Sequence, residues 1–280
     1  MEERCRLARQ SGAMSAVLDA RALPSESRRQ LDLIRISALR QLKARYRGTA
    51  LGVMWSFANP LLMTALYTTI FGTAFASYYG SKTTYVFSAF VGVVVVTFFL
   101  QATGEALGAV VANGGLLNKI AIDPEIFPIA AIAANTFQQS ITAFPVILVL
   151  SAFLTHDPVR VLLVPVVLAG IVALVAGFGL VLATLYVFFR DLSYLWGIVG
   201  FVFWMTSPVF YPAELVPALV RHWVALNPVA MGISALREVT LAHGPLHSGT
   251  IVVFLIVAAA AALIGHVMFR SLRRDFMDLL

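Results

Sequence analysis

The residues able to do chemistry in this chain are few and dispersed. Glu105 is the only acid well inside an apolar segment, and His266 stands alone near the end of another. His156, His222, His243 and His247 are too scattered to compose a metal site. A proton relay across a bilayer needs a ladder of Asp, Glu or His, which the sequence lacks. It also lacks HExxH, GxSxG and the phosphate loop GxxxxGK(S/T), since Gly80, Ser81 and Lys82 have no earlier glycine at the required spacing. The chain is therefore expected to have no catalytic residues, no metal and no cofactor of its own, and not to hydrolyse ATP. Its lone cysteine, Cys5, allows no internal disulfide.

Cations and aromatic rings are concentrated instead. Arg40, Lys43, Arg45 and Arg47 end the segment SRRQLDLIRISALRQLKARYRG, residues 27–48, which precedes every long apolar run. Within it Leu31, Ile34, Ala38, Leu42 and Tyr46 recur at spacings of three and four, so they share one face of a helix, while Arg35, Arg40, Lys43 and Arg47 project elsewhere. Ser27 and Gln30 fit a capping box and Gly48 a C-terminal stop. Such a helix suits a membrane interface, with packing on a partner protein as the alternative. Trp55, Asn59, Met63, Tyr67 and Phe71 follow at spacings of four; Phe98 and Phe99 mark the next apolar run, and Phe201, Phe203, Trp204, Phe210 and Tyr211 crowd a later one. Aromatic faces stack on the apolar faces of sugar rings while tolerating varied hydroxyl patterns. A passage lined by them suits an extended glycan; lipid-facing belts and helix packing are the competing uses.

The elements that must position these groups are set by block length. The chain is 60% apolar and 12% charged, and its apolar residues fall in long blocks. A helical span needs roughly 20 apolar residues, far more than a buried strand supplies. Six spans are expected, at about 51–77, 84–110, 128–154, 159–187, 195–211 and 250–269, the third and fourth divided at THDP, residues 155–158. The apolar runs within 212–249 are too short to cross and are broken by Pro212, Pro217, Pro228 and Pro245, so re-entrant or interfacial helices are expected there. The organisation is thus a polar extension at 1–26, an amphipathic helix at 27–48 and an all-α membrane domain at 49–280. The first thirty residues have no apolar signal core, which leaves the first span as the insertion signal.

The net charge of +6 is explained by its location rather than by nucleic acid. With the N-terminus inside and six spans, sixteen of the twenty Lys and Arg fall on the cytoplasmic side, and only Lys82, Arg160, Arg221 and Arg237 fall outside. Both termini are therefore expected in the cytoplasm. On that side the connector NGGLLNKIAIDPEIFP, residues 113–128, contains a stretch long enough for two helical turns, flanked by Gly114, Gly115, Asp123 and Pro124. A short helix there is a handle for another protein to push.

Three segments then converge on a family. RQLKARYRGTALGVMWSFANPLL at 40–62, FFRDLSYLWGIVGFVFWMTSPVFYP at 188–212 and LNPVAMGISALREV at 226–239 resemble the permease subunits of type-2 ABC exporters, above all the group that exports O-antigen and related polysaccharides. The resemblance implies a homodimer of six-span subunits in the bacterial inner membrane, joined to two copies of a separate ATPase that binds ATP and Mg, with a glycan channel between the permeases. It places the coupling contact on Leu117, Asn118, Lys119 and Ile120, with Asp123 alongside. It places the channel on spans one, two and five, where the aromatic lining is Trp55, Tyr67, Phe71, Phe98, Phe99, Phe201, Trp204 and Tyr211. The Arg40, Lys43, Arg45 and Arg47 cluster then becomes an entrance for a polyprenyl-pyrophosphate-linked glycan, because cations pair with phosphate oxygens; binding of lipid headgroups is the alternative. Other readings are a type-2 exporter of lipid or drug, a multi-span acyltransferase acting on glycans, which would need a catalytic pair the sequence lacks, and a secondary carrier, which would show an inverted repeat.

Overall fold

A computed structural model describes residues 26–50, 52–117, 119, 122–212, 215–241 and 246–278. The described residues form helices and no strands. Four helices are long and apolar enough to cross a membrane, or five if one bent pair counts as a single span. The polar extension up to residue 25 lies outside the described residues.

Helix α1, Glu26–Tyr46, is followed by Gly48 at φ +77, a left-handed position that costs glycine nothing and ends the helix where the sequence indicates. Its stripe divides. Ile34, Ala38 and Leu42 pack against Ala130, Ala133 and Ala134, whereas Leu31, an early member of the stripe, stays exposed, as do Ile36 and Leu39 off the stripe. Helix α2, Met54–Phe75, is buried only along Pro60, Thr64, Thr68 and Gly72, a single row at spacing four, with Phe57 and Phe75 meeting Phe90 and Tyr85 of the next helix edge-on.

Helix α3, Lys82–Ala112, is the central post, enclosed along most of its length. It starts cleanly because Ser81 Oγ accepts the Thr84 N–H at 3.1 Å. A short turn, α4, Gly114–Leu117, leads to α5, Ile126–Ile141, and α6, Ala143–Thr155. The uninterrupted third span expected at 128–154 is bent by 42° between these two helices. The physical reason is Pro145, which has no N–H to give the Ile141 carbonyl one turn earlier.

His156 takes a left-handed conformation, and Asp157 Oδ1 caps the next helix through Val159 N–H at 3.0 Å, with Pro158 in its first turn. The division at THDP is thus where the chain turns. Helix α7, Pro158–Phe188, runs against α3 on one side and against α11, Ser248–Leu272, on the other. The second contact is backbone to backbone: a Cβ added at Gly265 would lie 2.4 Å from the Gly177 carbonyl oxygen.

Between α7 and α11 lie three shorter helices. Helix α8, Leu192–Thr206, has 15 residues and only Gly200 buried. Helices α9, Ala218–Leu226, and α10, Pro228–Thr240, occupy the proline-broken stretch; α9 buries none of its residues, whereas α10 is sunk against α3, α7 and α11. Asn227 starts α10 by accepting from Val229 and Ala230 N–H and ties it to the end of α8 by donating to Thr206 and Ser207. A final 3-10 turn, Arg273–Asp278, folds back after α11.

Candidate functional site

At the end of the bundle that carries α1, polar groups gather where an apolar interior would otherwise be expected. Arg45 reaches across α1 to Glu105 on α3 in a close ion pair. Its guanidinium also donates to Asn135 Oδ1 at 3.2 Å and Gln138 Oε1 at 2.7 Å, both on α5. Asn135 returns a hydrogen bond to Glu105 at 2.7 Å, Gln101 adds a weaker one at 3.4 Å, and Tyr46 donates its hydroxyl to Gln138. Glu105, the acid expected inside an apolar segment, is therefore paired with a cation from α1. Three helices are joined by one guanidinium, whose planar fork suits several acceptors at once.

This changes the meaning of the basic cluster. Arg45 is committed to Glu105, so it is not an open phosphate receptor in this arrangement. Arg40, Lys43 and Arg47 remain exposed, and they share with Ile36, Leu39 and Ala44 a groove of about 480 Å³ on the outer side of α1. A second cavity of about 640 Å³ lies beneath α1, lined by Arg40, Arg45, Glu105, Gly108, Asn113 and Phe127 among others. Arg40 borders both.

The aromatic set also divides. Tyr67 stacks on Phe210 with ring centroids 3.7 Å apart, and Phe71 continues the stack at 6.1 Å. Trp204 leans on the same Phe210, and Tyr211 donates to the Met205 carbonyl at 3.0 Å. Trp55 and Phe201 are 56% and 63% exposed. Trp196, Gly200, Phe201 and Trp204 border a shallow hollow of about 420 Å³ against Leu100. Phe98 and Phe99, expected on the channel face, are each 1% exposed. Phe98 meets Phe144 edge-on, and Phe99 is boxed in by Phe178, Trp196 and Phe203. Their rings hold helices together, because both lie on enclosed sides of the central α3. The open aromatic faces belong to α2 and α8.

In the connector between α3 and α5, Gly114–Leu117 is helical; Asn118, Ile120 and Ala121 lie outside the described residues. Leu117 points inward, 5% exposed, into a cluster with Val110, Phe127, Val187, Phe269 and Phe276. Lys119 is exposed. Asp123 is held by Arg273 at 2.6 Å. Two residues on, the buried Glu125 meets His266 Nδ1 at 2.6 Å and Arg270 Nε at 3.5 Å. Glu125, Asn135 and Gln138 were not foreseen. The signal available for the last two was polar side chains at spacing three inside an apolar run; for Glu125 it was an acid beside a helix start.

At the opposite end, two cations expected on the outer side are spent on backbone carbonyls. Arg237 donates to Pro208, Val209 and Ser88, bracing the irregular chain after α8. Arg160, 3% exposed, donates to the Glu238 carbonyl at 2.7 Å and pairs with Asp157 at 3.3 Å. Among the described residues no group of three His, Cys, Asp or Glu side chains is arranged to hold a metal.

Residues 32–241 match the family described as ABC-2 type transporter. The chain is 24% identical over 254 residues to the O-antigen export system permease protein RfbA of Klebsiella pneumoniae, covering 89% of this chain and 95% of that protein. It is 25% identical over 242 residues to the protein of the same name from Myxococcus xanthus, covering 85% and 92%. It is 25% identical over 203 residues to the capsule polysaccharide export inner-membrane protein CtrC of Neisseria meningitidis serogroup A, covering 71% and 75%.

Proposed function

The chain belongs to the ABC-2 type transporter family, and from that membership we propose that it is the channel-forming permease of an exporter for a lipid-linked polysaccharide, O-antigen or a similar surface glycan. It is a multi-pass inner-membrane transport subunit and not itself an ATPase. Two copies work with two copies of a cytoplasmic ABC ATPase, which binds ATP and Mg. The topology is six spans with both termini in the cytoplasm: α2, α3, the bent pair α5 and α6, α7, the short α8, and α11. Helix α1 lies along the inner interface, and α9 with α10 re-enters from the outer side.

The observation that carries this reading is the pairing, on one protomer, of a basic cavity under α1 with two aromatic helices whose faces are left uncovered. Only one row of α2 is buried, and only Gly200 of α8. A second copy facing these helices encloses a path with Trp55, Tyr67, Phe71, Phe201, Trp204 and Tyr211 near its wall. Sugar rings slide past aromatic faces without needing a fixed pattern of hydroxyl partners. Arg40, Lys43 and Arg47 receive the pyrophosphate at the inner leaflet, while Arg45 fixes α1 in place. The loop around Lys119 meets the ATPase.

The test is export in cells lacking the chain, together with ATP hydrolysis by the purified pair. Hydrolysis is expected from the complex and not from this chain alone. Replacing Arg40, Lys43 and Arg47 with Gln is expected to leave insertion normal and to reduce surface glycan. Normal insertion with normal export would refute the entrance.

A further inference from the structure

The polar groups that close the α1 end of the bundle include a set that neither the entrance nor the aromatic path uses. Glu125 is 6% exposed and stands at the junction between the connector and α5. An acid so placed must be paired or neutralised. Its partners come from one helix: His266 at 2.6 Å and Arg270 at 3.5 Å, four residues apart on α11 and therefore on one face. Arg273, three residues further on, takes Asp123 at 2.6 Å, and Asp123 in turn accepts the Glu125 N–H at 3.2 Å. A D-x-E motif at the end of the connector is thus met by His266 and Arg270 on the last helix and by Arg273 at the start of the 3-10 turn that follows it.

Apolar contacts secure the other side of the same connection. Leu117, at the start of the connector, shares a cluster with Phe269 and Phe276, both 0% exposed, and the two rings meet edge-on at 5.2 Å. Phe276 lies in the 3-10 turn that folds back after α11 and also meets Phe188 at the end of α7. The connector is gripped at both ends by α11 and its continuation. Helix α11 is in turn fixed to α7 where Gly265 and Gly177 touch backbone to backbone. Displacement of the connector must then move α11 and α7 together, since close-packed backbones cannot slide without separating.

We propose that Glu125, with Asp123, is a positioning residue that transmits displacement of the connector to the α11 and α7 pair during transport. The inference rests on the reading that the ATPase docks on this connector. Neutralising Glu125 leaves the docking surface at Lys119 intact and loosens the link behind it. ATP hydrolysis then continues while less glycan moves for each ATP consumed.

The experiment uses the full chain in complex with its ATPase, in a Cys5→Ser background carrying Lys119→Cys to crosslink the partner. Glu125→Gln is expected to assemble, to crosslink and to hydrolyse ATP at a rate near the parent. Glycan exported per ATP falls by about tenfold, the scale of a modest coupling energy. His266→Lys, which keeps a hydrogen-bond donor facing Glu125, is expected to export normally. If Glu125→Gln fails to insert, His266→Gln with Arg270→Gln on the more exposed partners carries the same test. Absence of the crosslink in the parent complex overturns the docking reading and the anchor with it. A crosslink that persists with unchanged export per ATP overturns the anchor alone. Assembly, hydrolysis and export falling in parallel in both variants also overturn it, because that is the signature of a purely structural pair.

Discussion

Replacing Arg45 with Gln tests the polar junction that holds α1 against the bundle. In the folded chain Arg45 is 23% exposed and Glu105 33% exposed, so the pair is screened in part but not fully hydrated. The substitution removes the ion pair and the charged donors to Asn135 and Gln138. A hydrogen bond to a charged group contributes about 1.5–3 kcal/mol when buried. Exposed ion pairs contribute less than about 1 kcal/mol. Partial exposure places the whole junction near 2 kcal/mol, since the apolar seam of Ile34, Ala38 and Leu42 survives the change. A loss of that size multiplies the undocked population of α1 by about 30. Ala38 supplies the probe: it is 8% exposed and faces Ala130 and Ala134. With Cys5→Ser and Ala38→Cys, maleimide labelling in membrane vesicles reports how often α1 lifts away. Arg45→Gln is expected to speed labelling by about 30-fold, and Glu105→Gln by only about fivefold because Arg45 keeps its two amide acceptors. The double variant falls short of the summed effect, as expected for groups in one network. Labelling within twofold of the parent in Arg45→Gln, or an equal rise in Arg47→Gln, would refute the role assigned to the junction.

Gly265→Val is expected to lower the thermal midpoint and the yield of folded protein, because its new Cβ would sit 2.4 Å from the Gly177 carbonyl oxygen; Gly108→Ala, with nothing within 4 Å, serves as the tolerated control. Heating followed by size-exclusion chromatography distinguishes them, and equal profiles would remove the backbone contact as a constraint. Asn227→Ala is expected to cost about 1–2 kcal/mol, lost with the cap of α10, and to appear as a lower midpoint in detergent. Phe98→Ala is expected to destabilise by about 3–5 kcal/mol as a core truncation, whereas Phe201→Ala leaves the midpoint unchanged and reduces export. The reverse outcome would return Phe98 to the path and place Phe201 in the packing.

Block length was enough to place most of the long helices, because a span of apolar residues has few other solutions. The bend at residues 141–143 was harder to see: Pro145 is visible in the sequence, but whether a proline kinks a span or begins a new helix depends on what packs behind it. Aromatic spacing told which residues share a face of α2, yet it gave no way to rank α3 against α2. Both carry rings, and burial is decided by which helix stands in the middle. Phe98 and Phe99 were misplaced for that reason. The basic cluster was legible as a cluster but not in its division of labour. Arg45 differs from Arg47 only by two positions, which turns it by about 200° around the helix axis and brings it over Glu105. Its partners lie 60 to 93 residues away in sequence, and a single chain without relatives aligned to it carries no local sign of them.

The distribution of polar contacts also says which helices can move. Ionic and amide networks occur at the two ends of the bundle: Arg45 with Glu105 and Glu125 with His266 at one, Arg160 and Arg237 on carbonyls at the other. Each joins α3, α5, α7, α10 or α11, or fastens α1 to them. Helix α2 has no ion pair to the bundle among the described residues; small side chains in one row hold it to α3, and a stacked Tyr67 links it to Phe210. Helix α8 is held by rings along its length, Trp196 and Phe203 against Phe99 and Phe203 against Phe178, and by hydrogen bonds only at its end, through Asn227. Separating α2 or α8 from the bundle therefore breaks few directional bonds and mostly exchanges one apolar contact for another, which in lipid has little cost. Moving α7 past α11 requires parting two backbones. Opening by displacement of the aromatic helices against a stiff α3, α7 and α11 core follows from that asymmetry. A disulfide between α2 and α3 should accordingly stop export, whereas one between α7 and α11 should leave it intact.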